Sequence, residues 1–255
     1  MTGILPVDDP LILALIFVVA VFAGVVKGIV GFAMPTLLIS GLSSLISPEI
    51  ALSAMIAPTL VTNVWQAFRQ GLAAALSTVD QHGKFLISGG ILLAISAQFV
   101  PYINATIMLT LLGGFISGFA ALQLIGWQPK LRKDSHTGTY FIGGLAGAIG
   151  GFSGVWGPPT VAYLSALGGT KHEHIRAQGV IYALGAVALT CAHSFSGVFS
   201  VQSAPFSILL VVPALLGVSV GFAIQDRINQ VVFKRATLIV LLVAGLNLLR
   251  RGLFG

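Results

Sequence analysis

A lysine stands next to glycines and a proline in the stretch KGIVGFAMP, residues 27–35, which interrupts a long apolar run. Burying a charged side chain is costly unless a partner compensates the charge. Gly28, Gly31 and Pro35 predict a break in a helix, because glycine and proline are the weakest helix formers. A helix that begins at such a break presents free N–H groups, which favour anions. Lys27, about one turn from the break, therefore indicates a site for a small anion.

The same spacing of glycine and proline, G-x3-G-x2-G-x3-P, occurs twice at a constant offset of 123 residues. The two sets are Gly24, Gly28, Gly31 and Pro35, and Gly147, Gly151, Gly154 and Pro158. The repeat continues at an offset of 126 in two further pairs, Ala51 with Ala177 and Gly71 with Gly197. The chain therefore contains an internal repeat. The candidate substrate-binding residues flank both breaks: Lys27, Gly28, Gly31, Pro35, Gly151, Ser153, Gly154, Trp156, Pro158 and Pro159.

A serine framed by glycines offers a different chemistry. In the strings GFSG and AHSFSG, Ser153 and His193 are similar to the nucleophile and base of rhomboid-type intramembrane serine proteases. The first repeat carries GIVG at residues 28–31, with Val30 in the place of Ser153, so the glycine frame is explained without catalysis. The protease is therefore the less favoured alternative. His193 is interpreted as a buried histidine with satisfied hydrogen bonds or, alternatively, as a proton carrier.

Composition indicates that membrane-spanning helices position these residues. The chain has 255 residues, of which 56% are hydrophobic and 8% charged, whereas soluble domains carry about 25% charged residues. Apolar runs of about 20 residues recur along the whole length without strand-like alternation, which predicts an all-α polytopic membrane protein. Cys191 is the single cysteine, so no internal disulfide, metal or cofactor is predicted. No G-x4-G-K-[ST] motif occurs, which argues against an ATP-driven pump and leaves no sign of an enzyme beyond Ser153.

Eight apolar runs can be delimited: 11–46, 50–68, 85–100, 103–126, 139–169, 177–199, 205–224 and 232–249. Six of them suit one tilted helix each. The runs 11–46 and 139–169 are too long for one span and too short for two, which predicts re-entrant-like hairpins broken at the glycines and prolines. The first repeat then covers residues 1–126 and the second 139–255, each a hairpin followed by three spans. A basic linker, residues 127–138, joins them.

Basic residues are concentrated in alternate loops. If each hairpin enters and leaves on the same side and each other run crosses once, the loops 69–84, 127–137, 170–176 and 225–235 share one side of the membrane. They hold Arg69, Lys84, Lys130, Arg132, Lys133, Lys171, Arg176, Arg227, Lys234 and Arg235. Basic loops face the cytoplasm, so both termini are predicted to face outward from the plasma (inner) membrane. Three spans per repeat invert the second half relative to the first, as in many secondary transporters.

The N-terminus, MTGILPVDDP, lacks the basic start of a cleavable signal peptide, so the first run is expected to be retained. Each hairpin arm then has about 16 residues, or about 24 Å of helix, whereas a membrane core is about 30 Å thick. The two tips are therefore expected to overlap inside the protein. Pro35 and Pro158 suit the first turn of the returning helices, so two helix N-termini and Lys27 are predicted to bind the anion together. Two alternatives stay open: Lys27 extends to the cytoplasmic surface, and the glycines only pack helices together.

Four polar side chains lie in or near the predicted spans: Asn63, Gln66, Asn104 and Asn247. They are interpreted as interhelical hydrogen-bond partners rather than as contacts of the anion. Trp127, beside the basic linker, is interpreted as an interfacial anchor. Trp156, at the second break, is a candidate for the wall of a pocket.

The segments GIVGFAMPTLLISGL and GAIGGFSGVWGPPTVAYLSALG, each with the span that follows it, resemble the TauE/SafE family of sulfite exporters over nearly the whole chain. The resemblance implies a bacterial-type inner-membrane transporter of small sulfur-containing anions, such as sulfite or organosulfonates, with the lipid bilayer and no nucleic acid as a partner. It also carries the family's duplicated Gly/Pro segments onto Gly28, Gly31, Pro35, Gly151, Gly154, Pro158 and Pro159. A passive anion channel is the main alternative to a transporter.

Overall fold

The computed structural model describes residues 7, 9–69, 71–127, 135–168, 171–225 and 227–254. In these residues the chain forms eleven α-helices and one 3₁₀ turn, and no strand occurs. The helices are α1 (Pro10–Val30), α2 (Met34–Leu42), α3 (Pro48–Phe68), α4 (Leu72–Ala97), α5 (Ala105–Leu124), α6 (His136–Ser153), α7 (Gly157–Leu167), α8 (Lys171–Ser196), α9 (Ala204–Leu209), α10 (Val211–Ile224) and α11 (Gln230–Phe254). The 3₁₀ turn is Val100–Tyr102.

Within the described part of the chain, seven segments are long and apolar enough to cross a membrane: Pro10–Val30, Pro48–Phe68, Leu72–Tyr102, Ala105–Leu124, Glu173–Ser196, Ala204–Ile224 and Val231–Phe254. Six of them overlap the predicted single spans, and the seventh is α1. The prediction of an all-α polytopic membrane protein is therefore confirmed. In both halves a long helix is followed by a short helix and then by three spans, with α9 and α10 together forming one span.

The arms of the two hairpins are unequal, which corrects the expectation of about 16 residues per arm. Helix α1 has 21 residues and α2 has nine, while α6 has 18 and α7 has 11. Gly31 and Gly154 end the long arms in the left-handed conformation, with φ of 82° and 69°, which glycine adopts without steric cost. The long arms begin before the apolar runs, at Pro10 and His136, and the short arms begin three residues after the caps. Helix α1 therefore extends about 31 Å.

Several helices begin before the apolar runs that mark them. Helix α4 begins at Leu72, so most of the predicted loop 69–84 is helical, and α8 begins at Lys171, within the predicted loop 170–176. An apolar run marks only the part of a helix that contacts lipid, and polar turns extend the helix beyond it. Of the predicted linker 127–138, residues 128–134 lie outside the described part of the chain.

Each half packs its long first helix against a helix of the other half. Helix α1 lies against α10 of the other half, α6 lies against α4, and the pairs α3–α8 and α5–α11 also join the two halves. Glycines allow the backbones to touch: a Cβ on Gly28 would lie 2.6 Å from Val218 O, and a Cβ on Gly151 would overlap Ser96 Oγ. Gly28 and Gly151 are therefore helix-packing positions in this structure, as the packing alternative predicts.

A proline interrupts the hydrogen bonds of α3, and a serine from α9 compensates. Pro58 lies inside α3 and has no N–H to donate to the carbonyl one turn earlier. Ser207 Oγ donates to that carbonyl, Ala54 O, at 3.0 Å and accepts from Ala57 N at 2.9 Å. The serine is buried, so it stabilises α3 at the break and joins it to α9.

Candidate functional site

Both hairpin tips border one small interior cavity. The first tip (residues 31–36) joins α1 to α2, and the second tip (residues 154–157) joins α6 to α7. The lining of the cavity is Phe32, Ala33, Pro35 and Thr36 from or beside the first tip, Trp156 and Gly157 from the second, and Lys27, Asn63 and Tyr182. This Lys27 cavity has a volume of about 10 Å³, room for about one water molecule. The structure thus brings the two breaks and the lysine together.

Lys27 is buried, with 1% of its surface exposed. Its Nζ donates a hydrogen bond to Asn63 Oδ1 and lies 6.0 Å from the centre of the Tyr182 ring. Among the described residues, no carboxylate acts as its charge partner. The side chain therefore points into the protein rather than to a membrane surface, and its charge has no counter-ion.

Asn63 connects three helices at the cavity. It accepts the hydrogen bond of Lys27 from α1, lies on α3 itself, and donates through Nδ2 to Tyr182 O of α8 at 3.2 Å. One turn further along α3, Gln66 Nε2 donates to Gly31 O at 3.2 Å. The interpretation of Asn63 and Gln66 as interhelical hydrogen-bond partners agrees with these bonds. The position of Asn63 in the cavity lining was not predicted from the sequence, although Asn63 and Gln66 lie on one face of α3.

The backbone of the first tip presents a helix start without a side-chain cap. Ala33 precedes α2 in the left-handed conformation, with φ of 75°, and no side chain caps the helix. The first N–H groups of a helix have no partner within the helix. Met34 and Thr36 carry such groups, whereas Pro35 has none. The start of α2 thus has two backbone donors, and one of the two residues, Thr36, lines the Lys27 cavity.

The second tip offers fewer donors. Helix α7 starts with Gly157, Pro158 and Pro159, so two of its first three residues lack an N–H. Pro158 and Pro159 also line a separate apolar groove of about 590 Å³ between α5, α6 and α7. The prediction that Pro35 and Pro158 lie in the first turn of the returning helices is confirmed.

Ser153 stabilises the second tip rather than lining the Lys27 cavity. Its Oγ donates to Ile149 O at 2.5 Å and accepts from Val155 N at 3.0 Å. His193 is buried and its Nδ1 is 3.3 Å from Ser196 Oγ. Ser153 and His193 do not hydrogen-bond to each other in this structure, so they are not arranged as a nucleophile and its base.

A sequence profile described as sulfite exporter TauE/SafE matches residues 16–248. The chain belongs to the TauE/SafE sulfite exporter family. No curated protein and no solved structure gives a significant match to it. Membership and the seven apolar helices together identify this TauE/SafE protein as a multi-pass membrane transport protein.

The predicted site residues of the TauE/SafE protein fall into three groups. Lys27, Pro35 and Trp156 line the Lys27 cavity. Gly31 and Gly154 end the long helices at the tips, while Gly28 and Gly151 pack helices together. Ser153, Pro158, Pro159 and His193 lie outside the cavity lining. Tyr182 was not predicted, because its place in the cavity depends on how α8 packs against both tips.

Proposed function

We propose that this TauE/SafE protein is a secondary transporter that exports a small sulfur-containing anion, such as sulfite or an organosulfonate, across the plasma (inner) membrane. The observation that carries the proposal is the buried amine of Lys27, which lies beside both tips and has no carboxylate partner among the described residues. Lys27 lies in the last turn of α1, and a buried charged side chain is costly unless a partner compensates the charge. A bound anion would offset this cost, and it would bind most tightly where the charge is otherwise uncompensated.

The donors around the cavity suit an oxyanion. Lys27 has three N–H donors, and one is engaged by Asn63. Two further residues of the lining, Thr36 in the first turn of α2 and Gly157 at the start of α7, carry backbone N–H donors. Hydrogen bonds from a cation or a helix start to an oxyanion are about twice as strong as neutral ones. The anion would therefore be held between the two tips, with the stronger contacts on the side of the first tip.

The small volume of the Lys27 cavity supports a transporter with an occluded state. A cavity of about 10 Å³ admits one water molecule but not an oxyanion of four or more heavy atoms. The tips must therefore move apart for the anion to enter. Helix α1 packs against the second half and α6 packs against the first. This arrangement supports an inverted repeat, in which one half rocks against the other around a central site.

The orientation is part of the proposal. We place the starts of α4, α6, α8 and α11 at the cytoplasmic side, with both termini outside. The basic residues Arg69, Arg176, Arg227, Lys234 and Arg235 lie in or next to these starts, and Lys84 lies near the bend of α4 at His82. This distribution agrees with the rule that positive residues stay inside. A reporter fused after Gly255 should be active outside the cytoplasm, and a cytoplasmic C-terminus would contradict the inverted repeat.

The test is sulfite counterflow in proteoliposomes. Lys27→Gln removes the charge but keeps a hydrogen-bonding side chain, and Lys27→Arg keeps the charge. Losing a direct charge partner should cost about 2 kcal/mol or more, which is at least about thirtyfold in sulfite affinity. Lys27→Arg should keep part of the affinity, and Arg235→Gln, an exposed residue of α11, serves as the control. Equal affinities of Lys27→Gln and the wild type would refute the proposed site, and ion conductance without counterflow would identify a passive channel instead.

A further inference from the structure

A second polar cavity, of about 390 Å³, lies where α6 and α8 begin, where α7 ends and beside the bend of α4 at His82. We call it the vestibule, defined by His82, Lys84, His136, Tyr163, His174 and Arg176. We propose that the vestibule is a loading site, which captures the transported oxyanion before the anion reaches Lys27. This inference rests on the transport function proposed above and adds a second anion site to it.

The charges of the vestibule favour an anion. Lys84 and Arg176 supply two fixed positive charges, and the carboxylate of Glu173 at the rim supplies one negative charge. Arg176 Nε is buried and makes no hydrogen bond. A buried guanidinium donor without a partner is costly, and an oxyanion is the ligand that a guanidinium binds best. The three histidines lie on three different helices, α4, α6 and α8, and His174 Nε2 lies 3.2 Å from Gly168 O.

Two helix starts reinforce these side chains. Helix α6 begins at His136, which lines the vestibule, and the first two turns of α8 contribute Glu173, His174 and Arg176. Each helix start carries about half a positive charge from its backbone dipoles. The end of α7, with Leu167 and Gly168, also lines the vestibule and contributes the opposite partial charge, so the attraction for an anion rests mainly on Lys84 and Arg176.

The wall opposite α8 is held in place by hydrogen bonds and ring contacts. His82 Nδ1 lies 3.0 Å from Tyr163 Oη, and the Tyr163 ring stacks on Phe85 with ring centres 4.5 Å apart. Helix α4 leaves helical geometry at His82, where φ is −109° and ψ is 16°. The bend and the His82–Tyr163 contact fix α4 to α7, so the cavity is formed before a ligand arrives.

Helix α8 connects the vestibule to the Lys27 cavity. Arg176 and Ala177 line the vestibule, the next residue, Gln178, approaches Gly31 of the first tip, and Tyr182 lines the Lys27 cavity. Tyr182 follows Arg176 by six positions in the helix, which is a rise of about 9 Å along the helix axis. The Gln178 side chain is buried and its Oε1 makes no hydrogen bond. The first tip and Gln178 therefore form the barrier between a site open to water and a closed one.

A transporter gains rate from such an arrangement. A cleft of one charge raises the local concentration of an oppositely charged substrate and its rate of association by about 10- to 1,000-fold, and salt weakens the effect. The vestibule should therefore govern how fast the anion binds at low concentration, while the Lys27 cavity governs the step that follows. Phosphate groups of anionic lipids have the same oxyanion chemistry, and the experiment separates the two sources.

The experiment compares Lys84→Gln combined with Arg176→Gln against the matched control Arg235→Gln, which removes a positive charge from the exposed surface of α11 at the same end. Sulfite counterflow is measured in phosphatidylcholine vesicles at low and high ionic strength. We expect the sulfite concentration for half-maximal rate to rise about tenfold at low salt in the double variant. The maximal rate should stay within twofold, and the difference should shrink at high salt. Lys84 is exposed, so Lys84→Gln alone tests the same point if the double variant does not fold.

Sulfite binding at equilibrium separates this proposal from the proposed function. Lys27→Gln should lose the tight site and keep weak, salt-sensitive binding in the vestibule, whereas the double variant should lose only the weak binding. A half-maximal concentration equal to that of the control would overturn the loading site even if Lys27→Gln abolishes transport. A difference that appears only when phosphatidylglycerol is added to the vesicles would assign the vestibule to a lipid headgroup, and it would also overturn the loading role.

Discussion

The first tip is surrounded by polar side chains and the second by apolar ones. Gly31 faces the amides of Gln66 and Gln178, and a Cβ placed on it would lie 3.0 Å from Gln178 Oε1. Gly154 instead faces Met55 and Leu52. The two glycines have the same conformation and end equivalent helices, so the difference lies in the side chains and not in the backbone.

The repeat shows where the polar groups were placed. At an offset of 126, Asn63, Gln66 and Gln178 correspond to Leu189, Ala192 and Leu52. At an offset of 123, Lys27 corresponds to Gly150. The duplicated Gly/Pro frame therefore supplies two similar backbone breaks, and one of them carries nearly all the side-chain donors. We infer that the first tip holds the charge of the anion, while the second tip closes the cavity with Trp156.

The largest effect is expected when each of the repeat-related residues Asn63 and Leu189 is replaced, in a separate variant, by the residue type of the other. Asn63→Leu leaves Lys27 Nζ without its hydrogen-bond partner, and hydrogen bonds to charged groups contribute about 1.5–3 kcal/mol. This energy stabilises the folded protein with or without sulfite, so the melting temperature should fall. Because Asn63 also fixes Nζ beside the cavity, we expect sulfite affinity to fall as well. Leu189→Asn buries an amide next to the apolar second tip and should lower the melting temperature without changing the affinity of the folded protein. Isothermal titration with sulfite and thermal melting measure the two effects, and equal losses of affinity would show that both tips bind the anion alike.

Helices α3 and α8, each the first span after a hairpin, also differ from each other. Pro58 of α3 has Leu184 of α8 as its counterpart at the offset of 126. Ser207→Ala removes both hydrogen bonds that compensate for the Pro58 break in α3. Leaving Ala54 O and Ala57 N unpaired should cost about 1–3 kcal/mol of stability. Ser219→Ala, an exposed serine of α10 whose hydroxyl bonds within its own helix, is the matched control. Equal melting temperatures of the two variants would mean that α3 tolerates the break without Ser207.

Substitution of the two glycines that cap the long helices should have a smaller effect on stability and on sulfite affinity. Gly31→Ala and Gly154→Ala both force alanine into the left-handed conformation, which costs about 1–2 kcal/mol. At Gly154 the added methyl would also overlap the Met55 side chain, whereas at Gly31 it meets Gln178. We expect Gly154→Ala to lower stability more and Gly31→Ala to lower sulfite affinity more. Melting curves and binding titrations of both variants decide the point, and a larger affinity loss at Gly154 would contradict it.

The sequence predicted the parts of the fold that depend on local spacing. The Gly/Pro frame predicted both breaks, and Lys27 was singled out because a charge stands alone in an apolar run. The unequal arms were not predicted, because the length of an apolar run does not reveal which glycine adopts the left-handed conformation. The contact between Lys27 and Asn63 joins residues that are 36 positions apart and depends on how α1 packs against α3. The vestibule was missed for a similar reason, since four helices supply its lining.

Conformational strain is the last difference between the tips, and it should produce the smallest change. Ala33 is the only non-glycine residue with positive φ among the described residues, while its repeat counterpart Trp156 has a φ of −104°. Holding alanine in the left-handed conformation costs about 1–2 kcal/mol, and the surrounding first tip must compensate for it. Ala33→Gly should relieve most of this cost and raise the melting temperature by about 2–4 °C per kcal/mol in a chain of this size.

Ala33→Gly is expected to weaken transport, although it should raise the melting temperature. If strain at Ala33 helps the first tip to move when the anion binds, a relaxed tip should bind sulfite more weakly while the protein melts at a higher temperature. The control is Ala73→Gly, on the exposed first turn of α4, where glycine should lower stability by about 0.5–1 kcal/mol. Melting and counterflow are measured on both variants. A lower melting temperature for Ala33→Gly would mean that the first tip is not strained, and the difference between the tips would then rest on their polar side chains alone.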